Sequence, residues 1–286
     1  KSQIVMVAYN ANGDVTAATE VQKPGVLDAV FADAEAGNAI GQELGAIVEG
    51  TAATFKLWAP TAQEVELVLY DENLNEQATV AMTEDPATGI WASEAQSNVV
   101  NQYYRYQVKV YHPTTGKIET RLVTDPYSLS LSENSLYSQV VDLDDSSLKP
   151  AGWDNYDRPT VKKDEDHVLY ESHLRDFSFN DSKGTASLNG KYLALTEADR
   201  ESVSHLQALK DAGLTTLHIL PAFDIATVDE NAENRVDITD TVGKLCGVKP
   251  EAAVCGTEDN GKVIEDLLNS YDPSTGAAQA LMNHVR

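Results

Sequence analysis

Between Gly50 and Leu143 apolar and polar residues alternate with a period of two. Phe55 and Leu57 alternate with Thr54 and Lys56, Val65, Leu67 and Leu69 with Glu64 and Glu66. Tyr104, Tyr106, Val108 and Val110 alternate with Arg105, Gln107 and Lys109. Successive side chains of a strand point to opposite faces, so each run predicts a strand with one face on a core and the other in water. Asp71–Asn75 and Pro113–Gly116 are turn formers between runs. Several short strands of this kind predict an antiparallel β-sandwich of about 100 residues. Ahead of it, Ile4–Tyr9 reads as a strand turned by Asn12-Gly13-Asp14. Pro24–Ala36 reads as a helix, with Leu27, Val30, Phe31 and Ala34 on one side and Gly37 just past its end.

After the sandwich the pattern changes. Pro150-Ala151-Gly152, Pro159 and the charged run Lys162–Asp166 mark a linker. Val168, Leu169 and Tyr170 then predict a buried strand that turns abruptly charged at Glu171, His173, Arg175 and Asp176. Ionisable groups at the C-terminal end of a buried strand are how the rim of a parallel α/β barrel is built. A structural ion-pair network under a loop is the plainer reading of the same residues. Asn180–Asn189 is polar and predicts a loop. Thr196 is the expected N-cap, with Asp199 three residues on, of a helix carrying Val203, Leu206, Leu209 and Ala212, and Gly213 sits where a C′ glycine belongs. Thr215–Leu220 is the next strand, stopped by Pro221, which makes His167–Leu220 a right-handed βαβ unit with parallel strands. Residues 222–286 show one helical run, Val263–Leu268, and otherwise read as long loops. The expected division is a preceding-domain tail and linking helix over 1–40, the sandwich over 41–145, a linker over 146–166 and a barrel-type segment over 167–286.

Composition narrows the function. A formal charge of −24 over 286 residues argues against nucleic acid, whose phosphates such a surface repels. Neutral glycans remain compatible with it. No window approaches the ~20 apolar residues of a membrane span, and no signal peptide is visible. The chain begins at Lys1 rather than Met, so its N-terminus reads as a cut end. Cys246 and Cys255 share one segment without a histidine, too few ligands for structural zinc. A local disulfide, pointing to an oxidising compartment, and two unpaired thiols are the readings left. Neither a phosphate-binding loop nor a dinucleotide fingerprint occurs. Trp58, Trp91 and Tyr103 could stack on sugars, but buried core aromatics are the simpler assignment. Asp224, Asp229 and Glu230 could gather around calcium, although their spacing is not an EF-hand and a solvated acidic loop explains them. The expected cofactor is none, with calcium left open.

The stretch HVLYESHLRDFS at His167–Ser178 also resembles the first barrel strand of pullulanase-type debranching enzymes of the α-amylase superfamily. FKLWAPTAQEVELVLY at Phe55–Tyr70 is similar to the opening of that family's sandwich module, and VTDPYSLSLSENSLYSQVVDL at Val123–Leu143 to its connection into the barrel. GKYLALTE at Gly190–Glu197 and LHILPAFDIATVDE at Leu217–Glu230 resemble the family's first helix approach and second strand. The resemblance implies an immunoglobulin-like, starch-binding-type sandwich followed by the first βαβ unit of an incomplete (β/α)8 barrel. It implies an α-glucan partner, retaining hydrolysis of α-1,6 linkages, and secretion or the cell surface. The family's catalytic carboxylates follow the fourth and fifth barrel strands, and none of their motifs occurs here. No catalytic residue is therefore assigned, no substrate-binding residue is named, and this chain alone is expected to be inactive. Glu171, His173, Arg175 and Asp176 are carried as the family motif at the first barrel strand. A non-catalytic glycan-binding or scaffold protein based on the sandwich is the alternative, and a cytosolic isoamylase-like debrancher is a third reading.

Overall fold

The computed structural model describes residues 4–21, 24–33, 37–156, 160–220, 222, 228–272 and 274–285. The chain divides into two units, Lys1–Leu148 with Glu230–Asn234, and Lys149–Asp229 with Arg235–Arg286.

The first unit opens with a hairpin of β1 (Val5–Tyr9) and β2 (Val15–Glu20), then a short helix α1 (Pro24–Leu27) that continues as a π-type turn over Asp28–Ala32. Residues 34–36 of the expected helix lie outside the described residues. Two antiparallel sheets follow. One has the order β3 (Gly45–Glu49), β4 (Ala52–Trp58), then β8 (Ile90–Ala92) and β7 (Thr83–Asp85). The other centres on β5 (Glu64–Tyr70) and β9 (Tyr103–His112), flanked by β6 (Glu76–Ala81), β10 (Lys117–Val123), β11 (Ser130–Leu131) and β12 (Ser138–Gln139).

The period of two decides which residues enter the core. Along β4, Ala53, Phe55 and Leu57 are buried while Thr54, Lys56 and Trp58 are only half-covered; β9 does the same with Tyr104, Tyr106 and Val108. Phe55 and Tyr104 meet between the sheets with ring centroids 4.8 Å apart, edge to face. Trp91 is buried and donates its indole N–H to the carbonyl of Ala59, 3.0 Å, and half-buried Trp58 donates to Thr88, 2.9 Å. Both are core or core-edge residues, as the simpler assignment held.

Among the described residues Asp125 is the one buried carboxylate. Its Oδ2 accepts from the hydroxyls of Tyr104 (2.8 Å) and Tyr106 (3.2 Å), and its Oδ1 from the Tyr127 N–H (2.8 Å). Burial pushes its pKa up, against the pull of those three donors. Burial, and then the Asp125 charge, raise both tyrosines.

In the second unit β13 (Leu169–His173) pairs in parallel with β14 (Thr216–Leu220), Glu171 opposite His218 and His173 opposite Leu220. Helix α2 (Leu174–Phe179) follows β13, and α3 (Glu201–Asp211) leads back to β14. Two expectations are corrected here. The strand is not buried: Val168 is 53% exposed and Leu169 67%. Among the described residues β14 is its sole partner strand, and the side chains along β13 alternate between exposed and half-covered. Thr196 is not the N-cap, because α3 begins at Glu201 with Arg200 before it, and the Thr196 hydroxyl donates to Leu193 O. The C-terminus is as expected: Gly213 takes φ +109°, and the N–H groups of Gly213 and Leu214 bond to Lys210 and Leu209, closing a Schellman motif.

Residues 228–285 are also not the run of loops expected. They hold α4 (Val242–Val248), α5 (Ile264–Ser270) and α6 (Ala277–Met282) around a small core of Val236, Val242, Leu245, Val254, Ile264, Leu267 and Leu281. Cys246 and Cys255 are disulfide-bonded, Cα atoms 5.5 Å apart, tying α4 to the turn that follows it.

Candidate functional site

The charged motif sits where β13 ends and α2 begins. His173 caps α2, its Nδ1 accepting from the Asp176 N–H at 3.4 Å. Arg175 lies 3.7 Å from Asp176, and its guanidinium stands 4.6 Å above the Phe179 ring. Glu171 turns instead to His218 across the strand pair, 3.1 Å. The structure therefore brings His173, Arg175 and Asp176 together and sends Glu171 to a different partner. All four are well exposed, as a solvated ion-pair network would be.

Beneath this rim lies a feature the sequence reading missed. Arg200 is fully buried and every guanidinium nitrogen is used. Nε and one terminal nitrogen donate to Glu197, that nitrogen also to Thr185 O at 2.9 Å; the other donates to Asn189 Oδ1 at 2.6 Å and Asp181 at 3.5 Å. A buried charge is tolerated only when paired and hydrogen-bonded in this way. The carboxylates are themselves held: Ser202 donates to Asp181 at 2.6 Å, and Thr185 donates to Glu197 through both N–H and hydroxyl. The Thr185 hydroxyl, ahead of Arg200, draws the Glu197 pKa below its ordinary value. Gly184 shows how tightly the loop closes. Its φ is +92°, and a Cβ there would fall 2.7 Å from Glu197 Oε2 and 2.9 Å from Arg200. The available signal was that Arg200 is the only arginine between Arg175 and Arg235, amid Asp181 and Glu197.

A second cluster lies on the outward face of the β5–β9 pair. Tyr70 opposes Tyr103 in the register, and the Tyr137 ring sits 4.9 Å from the first and 6.3 Å from the second. The Arg105 guanidinium lies 4.1 Å over Tyr137 and donates to Leu136 O. Tyr70 is buried, while Tyr103, Arg105 and Tyr137 remain partly open. Polar cross-strand pairs continue the face, Gln107 to Glu66 at 2.6 Å and Lys109 to Glu64 at 2.9 Å. Half-covered aromatic rings beside a fixed guanidinium suit a neutral polyhydroxylated ligand, which offers C–H faces to the rings and hydroxyls to the donors. Of the three aromatics singled out in the sequence, only Tyr103 belongs to this cluster.

For cations, no group of three or more His, Cys, Asp or Glu residues among the described residues could hold a metal ion. Asp224 of the suggested acidic set lies outside the described residues.

Residues 43–128, which hold β3 to β10 of the two-sheet sandwich, match carbohydrate-binding module 48, the isoamylase N-terminal domain. Residues 1–29 match the pullulanase N2 domain and residues 225–286 the pullulanase Ins domain. The chain thus carries three stretches that match N-terminal domains of pullulanase-type and isoamylase-type proteins. A pullulanase of Klebsiella pneumoniae is 41% identical over 96% of this chain, and the chloroplastic pullulanase 1 of Arabidopsis thaliana 38% identical over 93%. The chain spans about a quarter of those relatives, 25% and 26% of their lengths. The crystal structure of apo pullulanase from Klebsiella pneumoniae superposes with a TM-score of 0.77 at 39% identity, covering 99% of this chain and 31% of that one. A maltotriose complex of the Klebsiella pneumoniae enzyme gives the same score, covering 28% of that chain. No helix among the described residues is long and apolar enough to cross a membrane.

Proposed function

We propose that this chain is the non-catalytic, glycan-contacting part of a pullulanase-type glycosidase that hydrolyses α-1,6 branch linkages of pullulan, starch or glycogen-type α-glucans with retention. The observation that carries the reading is the 41% identity to a pullulanase over 96% of the chain. Retaining hydrolysis needs two carboxylates about 5–5.5 Å apart, one as nucleophile and one as acid/base. Glu171 lies 3.1 Å from His218, and Asp176 lies 3.7 Å from both His173 and Arg175, in exposed pairs that support reading neither carboxylate as catalytic.

We read β13–α3–β14 as the first βαβ unit of a (β/α)8 barrel, supported by its parallel register and its polar C-terminal ends. We keep the division at 1–40, 41–145, 146–166 and 167–286, the last containing the Ins-type helical cluster. We assign α-glucan contact in the sandwich to Tyr103, Arg105 and Tyr137. The disulfide favours an oxidising compartment, hence secretion or the cell surface.

The test pairs two assays on the purified chain. Reducing-sugar release from pullulan should be nil, and turnover that survives repurification would show that the carboxylates have been misassigned. Retardation of the chain in an amylopectin gel should be weakened by Tyr137→Ala. Equal mobility with and without amylopectin would remove the glycan-contacting role.

A further inference from the structure

The Arg200 network does more than satisfy a buried charge. It pins the loop 181–197 at several points, and further bonds complete the fastening. Asn189 Nδ2 donates to Phe179 O (3.1 Å) and Asp181 O (3.0 Å), and the Gly190 N–H donates to Ser178 Oγ (3.0 Å). Gly190 sits against Arg175 and Phe179, its φ of +72° turning the chain back toward α2. The next residue but one is Tyr192. Its hydroxyl donates to Ala222 O at 3.1 Å, just beyond the end of β14, so the side chain is anchored at the C-terminal end of both parallel strands. Yet Tyr192 is 58% exposed and Phe179 49%. The ring is fixed at its polar tip and open on its body.

We propose that the Arg200-clamped loop forms a second α-glucan contact, with Tyr192 as the aromatic platform and with Phe179 and Arg175, which sit against Gly190 two residues before it, as further contacts. The inference rests on the α-glucan reading above and adds a place and residues to it. Ligands of parallel α/β units bind outside the carboxyl ends of the strands, which is where Tyr192 stands. A tyrosine held at its hydroxyl offers a rigid apolar face at small entropic cost, because its rotamers are already restricted. A neutral sugar also avoids the repulsion that the −24 chain would impose on an anionic ligand. The Arg175 guanidinium, stacked on Phe179 and solvent-facing, supplies donors for sugar hydroxyls.

The test is a titration of the isotope-labelled chain with maltotriose, followed by amide chemical shifts, on the parent sequence and on Tyr192→Ala, Tyr192→Phe and Tyr137→Ala. We expect shifts at residues 191–193 that saturate. In Tyr192→Ala their Kd should rise roughly fivefold or more, the scale of one lost aromatic contact. Tyr192→Phe keeps the ring and should keep most of the binding, which separates stacking from the tether to Ala222. Tyr137→Ala should leave the shifts at 191–193 in place. Shifts confined to the sandwich and abolished by Tyr137→Ala would overturn this second contact and leave the α-glucan reading standing. No shifts anywhere at millimolar maltotriose would overturn both.

Discussion

Replacing Arg200 with methionine is the sharpest perturbation available, since it keeps the stem and removes only the guanidinium. Glu197, Asn189, Asp181 and the Thr185 carbonyl each lose a donor. Breaking a buried ion pair by removing one partner costs about 3–5 kcal/mol, because the other charge is left without compensation. Two facts place this site at the lower end. Asp181 retains Ser202, and Glu197 retains both Thr185 bonds and is partly open to water. The expected loss is about 3 kcal/mol, roughly a hundredfold in the opening equilibrium of the loop. Native-state hydrogen exchange of the 181–197 amides, read against the β4 and β9 amides as an internal standard, measures it directly. Arg200→Lys should recover only part, since one ammonium cannot reproduce a planar fork. A loss below about 0.5 kcal/mol in Arg200→Met would place the site among ordinary surface substitutions and refute the reasoning.

Tyr104→Phe removes one of the two hydroxyls on Asp125 and should destabilise the sandwich by about 1.5–3 kcal/mol, read as a lower urea midpoint at unchanged slope. Cys246→Ser with Cys255→Ser should cost about 2–3 kcal/mol in the thermal unfolding of the 235–285 cluster, and a non-reduced digest of the parent chain should give a single cross-linked peptide pair. Acidification should act with opposite signs at two places. Glu197 is lowered, so its contribution is present above the unfolded carboxylate value of about 4.3 and is lost as pH falls through the folded value. Asp125 is raised, so the cost of burying its charge disappears as pH falls through its folded value. Exchange between pH 7 and 3 should therefore loosen loop 181–197 ahead of the strands around Asp125; loosening in the reverse order would contradict both assignments.

The sandwich was legible because strands reveal themselves through a period of two, which β4 and β9 keep over about seven residues and β5 over its first four. The parallel pair was legible through the strand–helix–strand order and Gly213. Burial of β13 was not, since apolar content alone does not say what covers a strand. Residues 228–285 hid their fold for a different reason. Helices of six or seven residues span fewer than two turns, too few to display a period of 3.6, and part of the core comes from non-helical Val236 and Val254. Thr196 misled because threonine before an apolar run is a common cap, while the loop bends once more before α3 starts. Arg200 escaped because a lone arginine at a helix start ordinarily reads as a solvated charge. The Tyr103–Arg105–Tyr137 cluster escaped because Tyr137 joins it from a distant stretch of chain.

The contrast between local and distant pairing bears on how the chain reaches this structure. The β5–β9 pair joins residues such as Glu64 and Lys109, 45 positions apart, whereas the Cys246–Cys255 bond closes a separation of 9. Chain segments that must find distant partners assemble slowly, and helices with nearby contacts assemble quickly. The 235–285 cluster should accordingly acquire protected amides first, and its cysteines can be joined while the strands of the sandwich are still searching for register. Pulse-labelled exchange during refolding would reverse that order only if the sandwich nucleated the chain. With the order as expected, the loop carrying the disulfide is already closed while β9 still lacks its partner strands, the period in which this polypeptide is most open to aggregation.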